Sequence, residues 1–169
     1  MPIAQALLPE FDQEMATTRK MLERVPLDRA DWRPHPKSTT LGSLAAHVAS
    51  LPRFGHLAIE TEEIDMNPPG GPAFQLPTYG TNAEMLAAFD EHVSRTRGAL
   101  SGVSDADLTT PWTLKFGGRT LLRQPRIGVL RSLMMNHIIH HRAQLGVYLR
   151  MNDVPIPASY GPSADEPTV

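Results

Sequence analysis

Apolar residues recur at helical spacing in four separate stretches of this 169-residue chain, and runs rich in proline lie between them. A buried helix face needs an apolar residue every three to four positions, whereas a half-buried strand needs strict alternation. Proline removes a backbone donor and disfavours helical geometry in the residue before it, so each proline-rich run separates two helices. Four amphipathic helices with long connections and little strand predict an all-α four-helix bundle.

The first part of the chain predicts two helices. Helix one spans about Ile3 to Val25, and a connector with three prolines follows it. Thr39 or Thr40 can then cap a second helix, because a threonine side chain accepts a hydrogen bond from the first helical turn. We expect this second helix to run to about Glu60, with a kink or an early end at Pro52.

The middle of the chain predicts a long loop, a third helix and a hairpin. The loop, Met66 to Tyr79, contains four prolines and two glycines. Thr81 or Asn82 opens the third helix, whose apolar stripe continues to about Leu100. A short β-hairpin is expected over Pro111 to Leu122, because this segment alternates loosely around two adjacent glycines.

The last part predicts one long helix and a tail. Pro125 lies where a first helical position would be, and the helix should run to about Met151. At 1.5 Å per residue it would be about 40 Å long, enough to traverse a bundle whose core can hold a metal site. The tail from Asn152 to Val169 is rich in proline and small polar residues and is expected to be extended. We expect residues 1–169 to form one domain.

Composition excludes several classes of function. The formal net charge of -2 provides no broad basic field of the kind that nucleic-acid binding requires, so no DNA or RNA partner is expected. The chain has no cysteine, which excludes disulfides, thiolate ligands and a cysteine nucleophile. No apolar run approaches the ~20 residues of a membrane span, so we expect a cytoplasmic protein that does not enter the membrane.

Three histidines are the candidate metal ligands. His137 and His141 are four residues apart on the last helix, and His47 lies on the apolar stripe of the second. Positions i and i+4 share a helix face with Cβ atoms roughly 5–6 Å apart, so two imidazoles can bind one ion. An HxxxH pair alone arises often by chance, and a lone buried histidine is more often satisfied by a backbone carbonyl. A metal site is therefore expected only if all three histidines meet in the fold.

The neighbouring residues narrow this hypothesis. His140 lies to one side of the pair on the helical wheel, so we assign it to solvent or to the surroundings of the ligands. Three neutral imidazoles favour a divalent transition metal, with Zn first and Ni or Fe as alternatives, and leave coordination positions open. Ile138 occupies the position of the glutamate in HExxH proteases, which disfavours metalloprotease activity. No general base stands out, so the catalytic residues are left unassigned.

Several motifs along the chain occur together in one known family. They are Trp32-Arg33-Pro34, Ser38 with Leu41-Gly42-x-Leu44-x-x-His47, Asn136-His137-x-x-His140-His141-Arg142-x-Gln144-Leu145-x-x-Tyr148-Leu149-Arg150, and the ending Val154-Pro155-Ile156-Pro157 with Tyr160-Gly161-Pro162. Together they resemble the DinB/YfiT-like superfamily. The resemblance implies a four-helix bundle, commonly a homodimer, with a divalent metal held by one histidine of helix two and an HxxxH pair of the last helix. These positions correspond to His47, His137 and His141.

The resemblance leaves the reaction open. Characterised members of the superfamily include S-transferases that use bacillithiol or mycothiol and a mycothiol-dependent maleylpyruvate isomerase, while many members have no known activity. The leading hypothesis is a metal-dependent enzyme, a transferase or isomerase, with a small-molecule substrate and a low-molecular-weight thiol. A metal-dependent hydrolase is the first alternative. The second is a non-catalytic stress-response or binding bundle, in which the apolar helix faces would serve a dimer.

Overall fold

The computed structural model describes residues 1–167, which are mostly helical with a small three-stranded sheet. The helices are α1 (Ile3–Glu23), α2 (Leu41–Ser50), α3 (Arg53–Glu60), α4 (Asn82–Gly102), α5 (Asp105–Thr109), α6 (Arg126–Val129) and α7 (His137–Met151), and the strands are β1 (Glu63–Asp65), β2 (Pro111–Phe116) and β3 (Arg119–Pro125). A 3₁₀ turn, Leu27–Arg29, follows α1, and a π-helical turn, Leu130–Asn136, joins α6 to α7. The expectation of a mostly helical fold is confirmed.

The predicted second helix is divided into α2 and α3. Thr40 caps α2 as expected, since its Oγ1 accepts a hydrogen bond from the Ser43 N–H at 3.2 Å. Leu51 and Pro52 keep helical dihedral angles between the two helices. Pro52 has no N–H to continue the helical hydrogen bonds, so the helix is interrupted there. The number of helices therefore exceeds the four predicted.

The predicted hairpin is present and belongs to a sheet of three strands. β2 and β3 pair antiparallel, and β1 pairs parallel with β2. Gly117 and Gly118 form the turn with φ of +60° and +77°, values that favour glycine. The carboxylate of Asp65, at the end of β1, accepts hydrogen bonds from both glycine N–H groups at 2.9 and 2.7 Å. This contact fixes the hairpin turn to the start of the long loop.

The core lies among the long helices, and this packing places α2 beside α7. α1 contributes Phe11 and Leu22, and α4 contributes Met85 and Phe89, all almost completely buried. Leu44 and Val48 of α2 are also buried, as is Leu51 directly after this helix. Because His47 lies between these residues in sequence, the buried stripe of α2 holds its imidazole close to α7.

The tail after α7 is folded back on the body rather than extended, which corrects the prediction for residues 152–167. Ala158 is buried, and Arg150 and Arg24 form ion pairs with Asp165 and Glu166. Thr168 and Val169, the last residues of the predicted tail, lie outside the described residues. No helix in the described part of the chain has both the length and the apolar character needed to cross a bilayer.

Candidate metal centre

The three histidines selected from the sequence meet between α2 and α7. Their rings are mutual neighbours, with centroids 5.0 Å apart for His47 and His137, 4.6 Å for His47 and His141, and 4.7 Å for His137 and His141. One ring nitrogen from each histidine lies within 4.8 Å of the others. All three side chains are partly buried, so the cluster lies at the edge of the core and keeps some contact with solvent.

A π-helical turn orients the ring of His137. The backbone N–H of His137 donates to the carbonyl of Met134, and the carbonyl of Leu133 lies 3.2 Å from His137 Nδ1. In a regular α-helix the N–H of residue 137 would donate to the carbonyl of residue 133. With that carbonyl receiving the Nδ1–H, the Nε2 lone pair of His137 faces His47. The two Nε2 atoms are 3.3 Å apart.

The side chain of Gln144 orients the ring of His141, as the Leu133 carbonyl does for His137. Its Nδ1 lies 2.7 Å from Oε1 of Gln144, one turn further along α7. An amide oxygen only accepts hydrogen bonds, so Nδ1 carries the proton and Nε2 is left as the donor atom for a metal. Metal-binding histidines commonly hold their second nitrogen in this way.

Burial keeps all three imidazoles neutral at pH 7. The pKa of His47 is lowered to about 4, mainly by burial and in addition by repulsion from His141 and His137. Burial also lowers the pKa of His137 and of His141, with repulsion between neighbouring histidines acting in the same direction. A metal ligand must be the neutral imidazole, so the cluster is held in the form that binds.

The spacing of the histidine nitrogens is compatible with one bound metal ion. Zn–N bonds of about 2.0–2.1 Å in a tetrahedral arrangement place two ligand nitrogens about 3.3–3.4 Å apart. The 3.3 Å between the Nε2 atoms of His47 and His137 matches that edge. The three histidines could hold a metal ion, and three protein ligands would leave at least one coordination position open.

The other histidines lie outside the cluster. His140 is exposed, although its ring centroid is 4.8 Å from that of His141, as expected for a residue beside the ligands. His56 is buried on α3, with Nδ1 3.3 Å from a carboxylate oxygen of Glu60, and its ring stacks on His92 at 6.4 Å. His35 is exposed in the connector before α2.

Sequence reasoning did not identify the two groups that hydrogen-bond to His137 and His141. Gln144 was detectable, because position i+3 on a helix can reach His141. The carbonyl of Leu133 was not, because its availability depends on a π-helical turn that apolar spacing does not reveal. The pattern of residues 125–151 predicts one continuous α-helix.

Together, the helical fold and the histidine cluster define a class of protein with a three-histidine site between two helices. Within this class, the sequence model of the DinB superfamily matches residues 10–145, and the chain belongs to that superfamily. This confirms the resemblance stated above.

Solved structures agree with this assignment. A DinB-like protein from Bacillus cereus is 26% identical, with a TM-score of 0.69 and coverage of 91% of this chain and 95% of its own. A DinB-like protein from Bacillus subtilis has the same fold at 19% identity, with a TM-score of 0.66 and coverage of 91% and 97%. No curated protein matches the sequence.

Proposed function

We propose that this protein is a divalent-metal-dependent enzyme that uses a small thiol as cosubstrate, acting as an S-transferase or isomerase. The observation that carries the proposal is the convergence of His47, His137 and His141, with two Nε2 atoms 3.3 Å apart. Three neutral imidazoles hold the metal, for which we propose Zn first and Ni or Fe as alternatives. A coordination position then stays open to a ligand from solution.

The absence of cysteine favours an external thiol. The chain has no cysteine and so no thiol nucleophile of its own, and the side chain that hydrogen-bonds to His141 is the amide of Gln144. A divalent metal held by His47, His137 and His141 would lower the pKa of a coordinated thiol, which would make the thiolate available to an electrophile. The histidines hold the site in the electrically neutral state that binds the ion, and the partial exposure of their rings leaves a path for small molecules.

Metal analysis is the first test. Purified protein should contain close to one equivalent of a transition metal, measured by elemental analysis. His137→Ala and His141→Ala should lose most of it. His140→Ala is the matched control, because it removes an exposed neighbouring histidine from the same helix, and it should retain the metal. Equal metal content in the native protein and in all three variants would contradict the proposed site.

Turnover is the second test. The metal-loaded protein is given a low-molecular-weight thiol and a chlorinated nitroarene, and chloride release is compared with that of His47→Ala. A rate that depends on both the thiol and His47 supports the transferase. A rate no higher than that of His47→Ala contradicts it, and turnover of an ester without thiol would favour the hydrolase instead.

We also propose a homodimer formed through the outer face of α7. A groove of about 480 Å³ on this face is lined mainly by apolar atoms, including those of Ile139 and Ala143. Val147 and Met151 on the same face are 58% and 55% exposed. Burying such apolar surface favours association.

Light scattering tests the proposed dimer. It should give twice the mass of the chain for the native protein and the monomer mass for Val147→Glu. A native protein that is monomeric would contradict the proposal.

A further inference from the structure

We propose that Gln144 is a positioning residue for the metal centre, which holds His141 as the Nδ1–H tautomer with its Nε2 directed at His47 and His137. This inference rests on the metal-binding function proposed above. It concerns a residue that binds neither metal nor substrate and acts only through the imidazole of His141.

The hydrogen bond between His141 and Gln144 is short, and only His141 can be its donor. Gln144 Oε1 lies 2.7 Å from His141 Nδ1. Because the amide oxygen has no proton to give, the hydrogen bond requires the proton on Nδ1. A neutral imidazole in solution exchanges its proton between both nitrogens, and only the Nδ1–H form leaves Nε2 free for the ion. Gln144 therefore selects the tautomer that binds through Nε2.

Comparison with His137 shows why Gln144 is important for the orientation of His141. His137 is held by the backbone carbonyl of Leu133 at 3.2 Å, so its orientation follows from the helix itself. His141 is held by a side chain that contributes little else to the fold, since Gln144 is exposed on α7. Its substitution should change the site without unfolding the protein. One surface residue, Gln144, therefore controls the orientation of His141.

The first measurement uses metal-free protein with ¹⁵N-labelled histidine at pH 8. Long-range ¹H–¹⁵N spectra distinguish the two neutral tautomers of each ring. Native protein should show His141 with its proton on Nδ1, whereas Gln144→Ala should show a mixture of tautomers. Gln144→Glu should keep the Nδ1–H form, because a carboxylate accepts the same hydrogen bond. The matched control is Gln13→Ala, which removes an exposed glutamine of α1 and should leave the spectrum of His141 unchanged.

The second measurement is Zn²⁺ affinity by competition with a chromophoric chelator. Loss of an outer partner of a ligand histidine typically weakens metal binding about 10–100-fold, and Gln144→Ala should fall in that range. Gln144→Glu should bind at least as tightly as native protein, and Gln13→Ala should match it. The conservative variant distinguishes hydrogen bonding from simple bulk, because glutamate has nearly the size of glutamine.

Two outcomes would overturn the proposal. One is an unchanged tautomer of His141 in Gln144→Ala. The other is an altered tautomer with Zn²⁺ affinity within about twofold of native protein, since positioning would then have no effect on binding. Failure of the proposed function is recognised separately: native protein that binds no Zn²⁺ contradicts the metal centre, while native protein that binds Zn²⁺ without thiol turnover contradicts only the reaction.

Discussion

Arg142, the residue after His141, takes part in a buried network that connects α7, α1 and the tail. Its Nη1 donates to the carbonyl of Glu14 at 3.1 Å and to Thr18 Oγ1 at 3.2 Å. Both hydrogens of Nη1 are then used, so its 2.7 Å contact with Glu14 Oε2 is an ion pair without a hydrogen bond. Nη2 donates to the hydroxyl of Tyr160, which donates to Glu14 Oε1.

Replacing one member of this ion pair should cost more than replacing both. Arg142→Met leaves the carboxylate of Glu14, 5% exposed, buried without its counter-charge, and the expected loss is about 3–5 kcal/mol of unfolding free energy. The double variant Glu14→Leu with Arg142→Met should recover a large part of this loss. Urea unfolding measures both values.

A surface ion pair provides the control for this prediction. Arg131 pairs with Glu10 on the exposed side of the protein, and Arg131→Met should cost no more than about 1 kcal/mol. A double variant that is less stable than Arg142→Met alone would show that packing by Glu14, rather than its uncompensated charge, determines the loss.

The sequence predicted which histidines meet but not what holds them. His137 and His141 share a helix face by spacing alone, and His47 lies on an apolar stripe that had to face the core. The structure brings these three together. Gln144 and the Leu133 carbonyl act through particular ring orientations, which depend on local backbone geometry rather than on which residues are apolar.

At the scale of elements, the π-helical turn before α7 is the feature most closely connected with the site. A π-helical turn holds an extra residue within an α-helix and is frequent at functional sites. Deleting the exposed Ser132 should convert the turn to α-helix, so that the backbone N–H of His137 would compete with its side chain for the Leu133 carbonyl and weaken the contact with Nδ1. Metal affinity should then fall about 10–100-fold, as for loss of any group that orients a ligand.

Competition titration with a chelator measures this loss, and circular dichroism checks that the deletion variant is folded. The substitution Ser132→Ala is the matched control, because it removes the hydrogen bond from Gln124 without shortening the turn. A folded deletion variant with native affinity would show that the π-helical turn does not support the centre.

Two glycines should respond in opposite directions to the same substitution. Gly118 lies in the hairpin turn at φ +77°, where alanine costs about 1–2 kcal/mol. Gly98 lies on the exposed side of α4, and a Cβ there would meet no atom within 4 Å. Gly98→Ala should therefore stabilise the protein by up to about 1 kcal/mol. Thermal unfolding of both variants tests the pair, and a loss of stability in Gly98→Ala would contradict the argument.

The elements that sequence analysis missed depend on contacts between distant residues. β1 is three residues long and contains one apolar side chain, so only its pairing with β2 makes it a strand. The tail has the composition of an extended segment, yet two contacts hold it against the first helix. Tyr160 donates a hydrogen bond to Glu14 of α1, and Glu166 accepts one from Arg24, the residue directly after α1. Long helices were predictable because their periodicity is local.

At the scale of the whole molecule, buried histidines should make the metal-free protein less stable in weak acid. Burial is the largest cause lowering the pKa of His47, His137 and His141, and also of His56 and His92. Their unfolded pKa is about 6.5. Below that pH the unfolded chain binds protons that the folded protein does not, so stability falls as pH falls. For His47 the loss ends near its folded pKa of about 4.

Metal should counteract this loss only while the site can bind it. Because the proposed ion would connect α2 to α7 and bind only the folded state, Zn²⁺ at 100 times its Kd should add about 2.7 kcal/mol of stability at pH 7.5. Protons compete with the metal for the folded site once the pH approaches the lowered pKa of His47, about 4, so the increment should be smaller at pH 4 than at pH 7.5. His47→Ala should lose most of the increment at pH 7.5. Denaturant unfolding with and without Zn²⁺ measures these differences. If Zn²⁺ still stabilised the double variant His47→Ala with His141→Ala by the same amount, the stabilising ion would bind elsewhere on the protein.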